Sequence, residues 1–306
     1  MSGVAGPVLL DRRRPLTWVS GLVATALVVA LVLSLARNPA MEWDVVAEYL
    51  TTAQVLDGLW LTLWLTAVVT ALGFLGGIGI AAMRLSRNPV LQAVSWAYVW
   101  FFRSVPVLVQ LLFWFNIGYL YPKITLGIPG GPALLEASSN DLISATTAAV
   151  LGLTLHEAAH AGEIIRGGIL AVDGGQAEAG TALGMSGSRI FRRIVLPQAM
   201  RSIVPATGNL LIGTLKGTSM VSVIAVGDLL YSVQFVYNRT YQVVPLLLVA
   251  TLWYLLVTTV LSVCQYYVER HFARGSRNGL TPTPVQRARR ALTRARLVPS
   301  LGKEAP

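Results

Sequence analysis

GQAEAGTALGMSGSRIFRRIVLPQA, residues 175–199, is a polar and basic stretch set between two long apolar segments of the chain. Its first half is rich in helix formers and closes on Gly184, which can adopt the left-handed conformation that ends a helix and turns the chain. Ser186 or Ser188 then offers a capping hydroxyl for a second helix, which Pro197 is expected to end. The stretch therefore predicts two short helices joined by a sharp turn.

The second of these helices is predicted to have a cationic side and an apolar side. Its arginines recur one helical turn apart, whereas its apolar residues lie on another side; the two sets are Arg189, Arg192 and Arg193, and Phe191, Ile194 and Val195. Such a helix is suited either to docking on a protein partner or to resting on lipid headgroups. Composition alone does not separate the two.

The composition places the rest of the chain in a bilayer. Of 306 residues, 54% are hydrophobic and 12% charged, and the mean hydropathy of +0.62 is too high for a soluble domain of this size. Six stretches are long enough to cross about 30 Å of hydrocarbon as helices: 16–36, 58–83, 95–121, 142–165, 202–226 and 245–268. The first is longer than a signal-peptide core, so an uncleaved anchor is expected. These spans predict an all-α integral membrane protein with a five-helix core and one additional N-terminal helix.

Positive charge is distributed asymmetrically along this chain of net charge +10. Lys and Arg concentrate in both tails and in the loops 84–87 and 171–201, whereas the opposite loops hold only Arg37, Lys123 and Arg239. The positive-inside rule therefore predicts that both termini and the 175–199 stretch are cytoplasmic. The basic excess reflects topology rather than nucleic-acid binding, and residues 270–306 are expected to be a disordered or headgroup-bound tail.

The 175–199 stretch resembles the cytoplasmic coupling loop of permease subunits in binding-protein-dependent ABC importers. The residues that carry the resemblance are Glu178, Ala179, Gly184, Ile194, Leu196 and Pro197. Gly180 departs from the pattern, because it stands where a second alanine would be; we expect it to loosen the first helix slightly. The likeness covers residues 54–269, leaving 1–53 (N-terminus, first helix and external loop) and 270–306 outside, and it favours docking over headgroup binding.

The resemblance implies a transport subunit rather than an enzyme, of the polar amino acid uptake type, in the cytoplasmic membrane of a bacterium or archaeon. It implies three partners: a second permease subunit, the same or related; an ATPase that binds ATP and Mg; and an external substrate-binding protein. Closure of the ATPases would expose the central site alternately to each side of the bilayer. The residues assigned to ATPase coupling are Gln176, Glu178, Ala179, Gly184, Arg189, Arg192, Arg193, Leu196 and Pro197.

Polar groups within the third span, YVWFFRSVPVLVQLLFWF at residues 98–115, point to a broken helix. Pro106 must free a backbone carbonyl one turn earlier, and a broken helix can line a cavity. Arg103, Pro106 and Gln110 are similar to an Arg-x-x-Pro and Gln pattern in polar amino acid permeases. Arg103 and Gln110 are therefore candidates for the substrate pathway or for a structural contact between helices.

The fourth span contains His156-Glu157-Ala158-Ala159-His160, a spacing that in other proteins binds zinc beside a catalytic glutamate. No suitable third ligand follows it in the sequence, so an intramembrane zinc protease is the minor alternative. The alternative that we favour is that His156, Glu157, His160 and Glu163 mostly share one side of the helix and face a polar cavity. A carboxylate there could bind an ammonium or guanidinium group, and each histidine could equally be a satisfied core residue.

The fifth span contains four polar residues that we also assign to the substrate pathway: Asn209, Lys216, Thr218 and Ser219. Lys216 lies between Gly213 and Gly217, where local unwinding would free amides for a substrate carboxylate. The competing interpretation is an ion pair from Lys216 to Glu157 or Glu163. Both can hold at different stages of transport.

The sequence contains no nucleotide-binding P-loop, so ATP must be hydrolysed by another chain. The lone Cys264 allows no intrachain disulfide. Apart from amino acid import, the same machinery for another small polar solute and an ATP-independent channel or carrier remain alternatives.

Overall fold

The computed structural model describes residues 15–127 and 133–272, and the predicted tail beyond residue 272 lies outside this part. The first half contains α1 Pro15–Ala36, a 3-10 turn Pro39–Met41, α2 Trp43–Tyr49, α3 Ala53–Arg84, α4 Pro89–Ser104, α5 Val107–Phe115 and α6 Ile117–Leu120. A hairpin follows, β1 Lys123–Gly127 and β2 Ala133–Ser138, and then α7 Ser139–Leu142, α8 Ala145–Leu170, α9 Gly174–Ala182 and α10 Gly187–Ile190. The last part contains a π-helical turn Phe191–Val195, α11 Leu196–Gly217, a 3-10 segment Thr218–Ile224, α12 Leu229–Thr240 and α13 Val243–Phe272.

Helices α3 and α8 form the tightly packed centre of the fold. A Cβ added to Gly77 would lie 2.6 Å from the Ala161 Cβ, and one added to Gly162 would lie 2.8 Å from the Ile80 Cγ2. Only glycine allows this approach of two backbones, which is how small residues let helices associate where no hydrophobic effect drives them together. The pair therefore provides a rigid base for the remaining helices.

Three apolar clusters surround this pair. One joins α2, α3, α12 and α13 around Val55, Leu229 and Leu246, and a second joins α3, α5, α8 and the 3-10 segment around Leu65, Leu111 and Val221. The third lies where α3, α8 and α11 meet, and contains Ala81, Ile165, Ala199 and Ile203. Helix α1 takes part in none of them: its residues from Val19 onward are exposed. The additional N-terminal helix is thus separate from the core.

The predicted membrane spans are largely helical, but one has a different shape. Residues 95–121, expected as one broken span, form α4 and α5, whose axes differ by 101°. Three described helices are long and apolar enough to cross a membrane, or up to five if each bent pair is one crossing. Helix α8 is not among them, because polar residues interrupt its apolar sequence. The number of crossings and the side of each terminus therefore stay predictions.

The all-α prediction is confirmed apart from one antiparallel hairpin that the sequence did not reveal. The Lys123 Nζ lies 2.7 Å from the Glu136 Oε1 across the two strands. This hydrogen bond to a carboxylate raises the pKa of Lys123. The hairpin is fixed to the helical body at Ser139, whose hydroxyl donates to the Tyr121 carbonyl.

Gly184 ends α9 as the sequence predicts. It has a φ of 70°, and its N–H donates to the Thr181 carbonyl while that of Met185 donates to the Gly180 carbonyl. These two bonds form the left-handed cap typical of a helix end. Ser186 occupies the N-cap position of α10, as expected, but its hydroxyl makes no capping bond.

The prediction that Pro197 ends the second helix is wrong. The chain continues from α10 through the π-helical turn into α11 without a break. Proline removes one N–H and its ring crowds the preceding turn, and the wider π turn directly before Leu196 accommodates both effects. The second helix of the 175–199 stretch is therefore the start of a long helix that enters the core.

Gly180 has a packing role that the sequence did not indicate. It is buried, and an added methyl would lie 2.9 Å from the Ile190 Cγ1 and 3.1 Å from the Ile194 Cδ1. Because α9 approaches the second helix at this point, Ile190 is the buried apolar residue of that helix, whereas Phe191, expected on its apolar side, is 41% exposed.

Gly180→Ala, which would restore the family pattern, is expected to impair transport. Overpacking costs about 1–3 kcal/mol, which exceeds the gain of about 1 kcal/mol in helix propensity. We expect a lower melting temperature of the purified protein and reduced ATP-driven uptake. The control is Gly174→Ala in the same helix, where no atom lies within 4 Å of an added Cβ; equal behaviour of the two variants would contradict the packing role.

Candidate functional site

A groove of about 430 Å³ lies between the end of α3, helix α4 and the second half of α8. Three charged residues, Arg84, Arg103 and Glu163, line it although the surrounding helices are largely apolar. We call it the α4–α8 groove. Its lining residues are Arg84, Trp96, Val99, Trp100, Arg103, Ser104, His160 and Glu163. Three of the residues that the sequence assigned to the pathway, Arg103, His160 and Glu163, therefore meet in one place.

Glu163 holds two guanidinium groups at one end of the groove. Its Oε1 accepts from the Arg166 Nε at 3.0 Å and its Oε2 from the Arg166 Nη2 at 2.9 Å, while the Arg84 Nε lies 3.3 Å from Oε1. The Glu163 side chain is only 18% exposed. A half-buried carboxylate is stabilised by such paired donors, so Glu163 links α3 to α8 through its two guanidinium partners.

Arg103 contributes the opposite charge. It lies in the last turn of α4 and is exposed to the groove. The ion pairs within residues 15–127 and 133–272 join Arg84 and Arg166 to Glu163 and Lys123 to Glu136, and Arg103 takes part in none of them. Its guanidinium is thus available to an anionic group.

Gln110 stabilises the bend between α4 and α5 rather than facing the groove. It is 3% exposed, and its amide nitrogen donates to the carbonyl of Phe102 at 3.0 Å and to that of Val105 at 2.8 Å. Pro106 leaves carbonyls of the preceding turn without their helical donor, and Gln110 replaces that donor. The same nitrogen lies 3.3 Å from the His156 Nδ1, which connects the bend to α8.

The two histidines pack together on α8. Their ring centroids are 4.6 Å apart, and the His160 Nδ1 lies 3.1 Å from the His156 carbonyl oxygen. No group of three His, Cys, Asp or Glu side chains suited to a metal occurs in the described part of the chain. The geometry therefore gives no support to the zinc alternative for these residues.

Glu157 lies on a different side of α8 from His156, His160 and Glu163. At about 100° per residue, His156, His160 and Glu163 fall within about 60° of one another around α8, whereas Glu157 lies about 100° from His156. It is 8% exposed, its Oε2 is buried without a hydrogen-bond partner, it lies near the Thr214 side chain of α11, and an added Cβ on Gly73 would lie 2.7 Å from its own Cβ. Glu157 thus lies between α3, α8 and α11, away from the groove.

The polar residues of the fifth span are separate from the groove as well. Asn209 and Lys216 are exposed, and Lys216 is absent from the ion pairs of the described residues, so the expected pair with Glu157 or Glu163 is not formed. The helix narrows to 3-10 geometry directly after Gly217, where the hydroxyls of Thr218 and Ser219 donate to the carbonyls of Leu215 and Lys216. A change of helical geometry occurs where it was predicted, and the pathway role of these residues stays a prediction.

The sequence assigned no site role to five lining residues of the groove: Arg84, Trp96, Val99, Trp100 and Ser104. Arg84 was counted only among the positive charges that set topology, and the tryptophans belong to no recognised motif. Their one sequence signal is position, because Trp96, Trp100 and Arg103 recur at helical spacing and so share a side of α4.

Comparison with known proteins gives consistent results. The family described as binding-protein-dependent transport system inner membrane component matches residues 73–274. The arginine transport system permease protein ArgU of Corynebacterium glutamicum is 44% identical over 272 residues, which cover 88% of this chain and 84% of that protein. The histidine/lysine/arginine/ornithine transport system permease protein HisM of Salmonella typhimurium is 33% identical over 223 residues, which cover 71% of this chain and 92% of that protein.

Solved structures extend the likeness to three dimensions. The crystal structure of an amino acid ABC transporter with histidines superposes with a TM-score of 0.61 at 34% identity, covering 71% of this chain and 94% of that one. An inward-facing structure of the MetNI methionine ABC transporter, at 21% identity and a TM-score of 0.58, shares the fold. The family match begins inside α3 and leaves α1 outside it.

Proposed function

We propose a mechanism for this chain from one premise: it belongs to the family of binding-protein-dependent transport system inner membrane components. It is accordingly a permease subunit of an ABC importer for polar amino acids, a multi-pass membrane protein whose family couples transport to ATP hydrolysis. We further propose which cargo it carries, what the α4–α8 groove does and which partners it binds. We take its membrane to be the cytoplasmic membrane of a bacterium or archaeon.

The cargo that we propose is a cationic amino acid, arginine above all. The names of two relatives, an arginine permease and a histidine/lysine/arginine/ornithine permease, support this choice. The chemistry of the α4–α8 groove supports it independently. An amino acid with a cationic side chain needs an anion at one end and a cation at the other, and Glu163 and Arg103 both line this groove.

In the transport step, Arg103 would bind the α-carboxylate of the cargo. Glu163 would exchange its contact with Arg84 for the cationic end of the cargo, while Arg166 keeps its bidentate bonds. The Arg84 contact is the easier one to give up, because it is a single bond of 3.3 Å. The Arg84–Glu163 ion pair would break when the cargo binds and re-form when the cargo leaves, which gives alternating access a chemical basis.

The 175–199 loop would transmit force from the ATPase, which binds ATP and Mg. Gly184 turns the chain between two helices, and the second helix continues through Leu196 and Pro197 into α11. A motion imposed on α10 would therefore reach α11 without a flexible joint. The coupling residues lie on both helices: Gln176, Glu178 and Ala179 on α9, and Arg189, Arg192 and Arg193 on the second helix. Between positions 175 and 198, all residues except Gly180 and Ile190 are exposed or half-exposed, as docking on a partner requires.

Two further partners follow from this mechanism. A second permease, identical or related, would close the open side of the α4–α8 groove, since charged groups at membrane depth are costly against lipid. An external binding protein would deliver the cargo. Its docking surface would include the external ends of α5 and α8, where Phe115, Tyr119 and Ser144 line a second cavity of about 470 Å³.

Arg103→Ala is expected to lower arginine uptake by at least about tenfold, since a charge-assisted hydrogen bond contributes about 1.5–3 kcal/mol. The measurement is ATP-driven uptake of labelled arginine by the reconstituted permease, ATPase and binding protein. Arg37→Ala is the matched control, because Arg37 is exposed and lies between α1 and the 3-10 turn, far along the chain from the groove. The proposed cargo is wrong if the wild-type complex imports an uncharged solute in preference to arginine and lysine.

A further inference from the structure

Two tryptophans form one wall of the α4–α8 groove, and the mechanism above gives them no role. Trp96 and Trp100 lie one turn apart on α4, with ring centroids 6.2 Å apart and planes inclined by 6°. They are 56% and 59% exposed. Both line the same groove as Arg103 and Glu163. Two large, nearly parallel aromatic rings therefore line the same groove as two charged groups.

The charges of the groove argue that these rings do not simply face lipid. Charged side chains at membrane depth line polar cavities or pair with one another. Arg84, Arg103 and Glu163 share the groove with Trp96 and Trp100. The side of α4 that carries the tryptophans is thus the side that carries the polar chemistry.

An aromatic face attracts cations, and tryptophan does so most strongly. The planar guanidinium of arginine also stacks on such a face, whereas the compact, strongly hydrated ammonium of lysine gains less. Because planar groups stack at about 3.5 Å, a ring separation of 6.2 Å leaves no room for a third plane between the indoles. A guanidinium would therefore lie on the open face of one ring, with its edge directed to a carboxylate.

Glu163 already demonstrates that edge contact. Its two oxygens accept from the Nε and Nη2 of Arg166 in a fork that only a planar guanidinium can supply. We propose that Trp96 and Trp100 are specificity-determining residues that select a guanidinium over an ammonium at the face of the cargo, while Glu163 accepts one hydrogen bond from the cargo in place of the Arg84 contact. This inference rests on the proposed cationic cargo, and it deepens that proposal from cationic amino acids to guanidinium-bearing ones.

The test measures direct binding, so that the selectivity of the binding protein does not contribute. The full permease–ATPase complex, purified without the binding protein, is titrated with arginine and with lysine by calorimetry. We expect the wild type to prefer arginine, and Trp100→Leu to weaken arginine binding by about tenfold while changing lysine binding less than about twofold. Trp96→Leu should act in the same direction. Trp60→Leu is the matched control, because Trp60 is 69% exposed on α3 and is not part of the groove lining.

Trp100→Phe separates stacking from folding, since it keeps an aromatic face and should retain part of the preference for arginine. The inference is overturned alone if the wild type binds arginine and Trp100→Leu leaves the arginine-to-lysine ratio unchanged, or if affinity for both falls equally. A wild-type complex that binds neither amino acid would instead overturn the proposed cargo site, and this inference with it.

Discussion

Gly184→Val is expected to abolish transport while leaving the protein inserted in the membrane. Gly184 has a φ of 70°, a conformation that a β-branched residue rarely adopts. The left-handed conformation costs a non-glycine residue about 1–2 kcal/mol, and a valine at this position would escape that cost by changing the turn between α9 and α10. Since the turn sets the angle at which the two coupling helices meet the ATPase, uptake and stimulation of ATP hydrolysis by the binding protein should both be lost.

A graded series distinguishes this conformational effect from loss of space. No atom lies within 4 Å of a Cβ added at Gly184, so the volume of the substituent is not the problem. Gly184→Asn should therefore keep much of the activity, because asparagine tolerates the left-handed conformation. Gly187→Ala, also without neighbours within 4 Å of the added Cβ and with no positive φ, serves as the control. Normal uptake by Gly184→Val would contradict the role of the turn.

The same loop shows which features can be predicted from sequence. The turn at Gly184 was predictable because the rule is local: one residue needs a backbone conformation that one amino acid supplies. The continuation through Pro197 was not, because the π-helical turn that accommodates the proline forms only where α10 joins the long helix α11. The close contact of Gly180 with Ile190 depends on two helices meeting, and such contacts leave no periodic signal.

The groove illustrates the corresponding limit for the site. Helical spacing on α8 brings His160 and Glu163 to one side, and the sequence pattern identified both. It also groups Glu157 with them, because Glu157 lies three positions before His160 and six before Glu163, whereas packing against Gly73 of α3 places Glu157 between helices. Arg84 lies 79 positions before Glu163 in the chain, so their ion pair could be found only from the crossing of α3 and α8.

The α4–α5 bend is an intermediate case. A break at Pro106 was expected from the missing N–H, and it occurs there. The 101° change of direction was not expected, nor was the function of Gln110 as the donor to two freed carbonyls. The sequence indicates that polar groups must compensate a broken helix in a membrane, but the identity of the compensating side chain depends on the fold.

Glu163→Ala is the second substitution for which we expect a large effect, with transport lost and assembly weakened. Removing the carboxylate leaves Arg84 and Arg166 facing each other in a half-buried site, and breaking a buried ion pair by removing one partner costs about 3–5 kcal/mol. The exposure of these side chains, 18–29%, places the expected cost toward the lower end of that range. The measurements are the melting temperature of the detergent-purified complex and ATP-driven arginine uptake.

The double variant Glu163→Ala/Arg84→Ala separates the structural role of Glu163 from its role in cargo binding. It removes one of the two opposed guanidiniums, so the melting temperature should recover relative to Glu163→Ala, as non-additivity in one ion-pair network predicts. Transport should stay lost, because the carboxylate for the cargo is still absent. Glu136→Ala is the control: its pair with Lys123 is exposed and should contribute less than about 1 kcal/mol. Recovery of uptake together with stability would mean that Glu163 only holds α3 and α8 in place, and the carboxylate that binds the cargo would then have to be sought elsewhere, beginning with the buried Glu157.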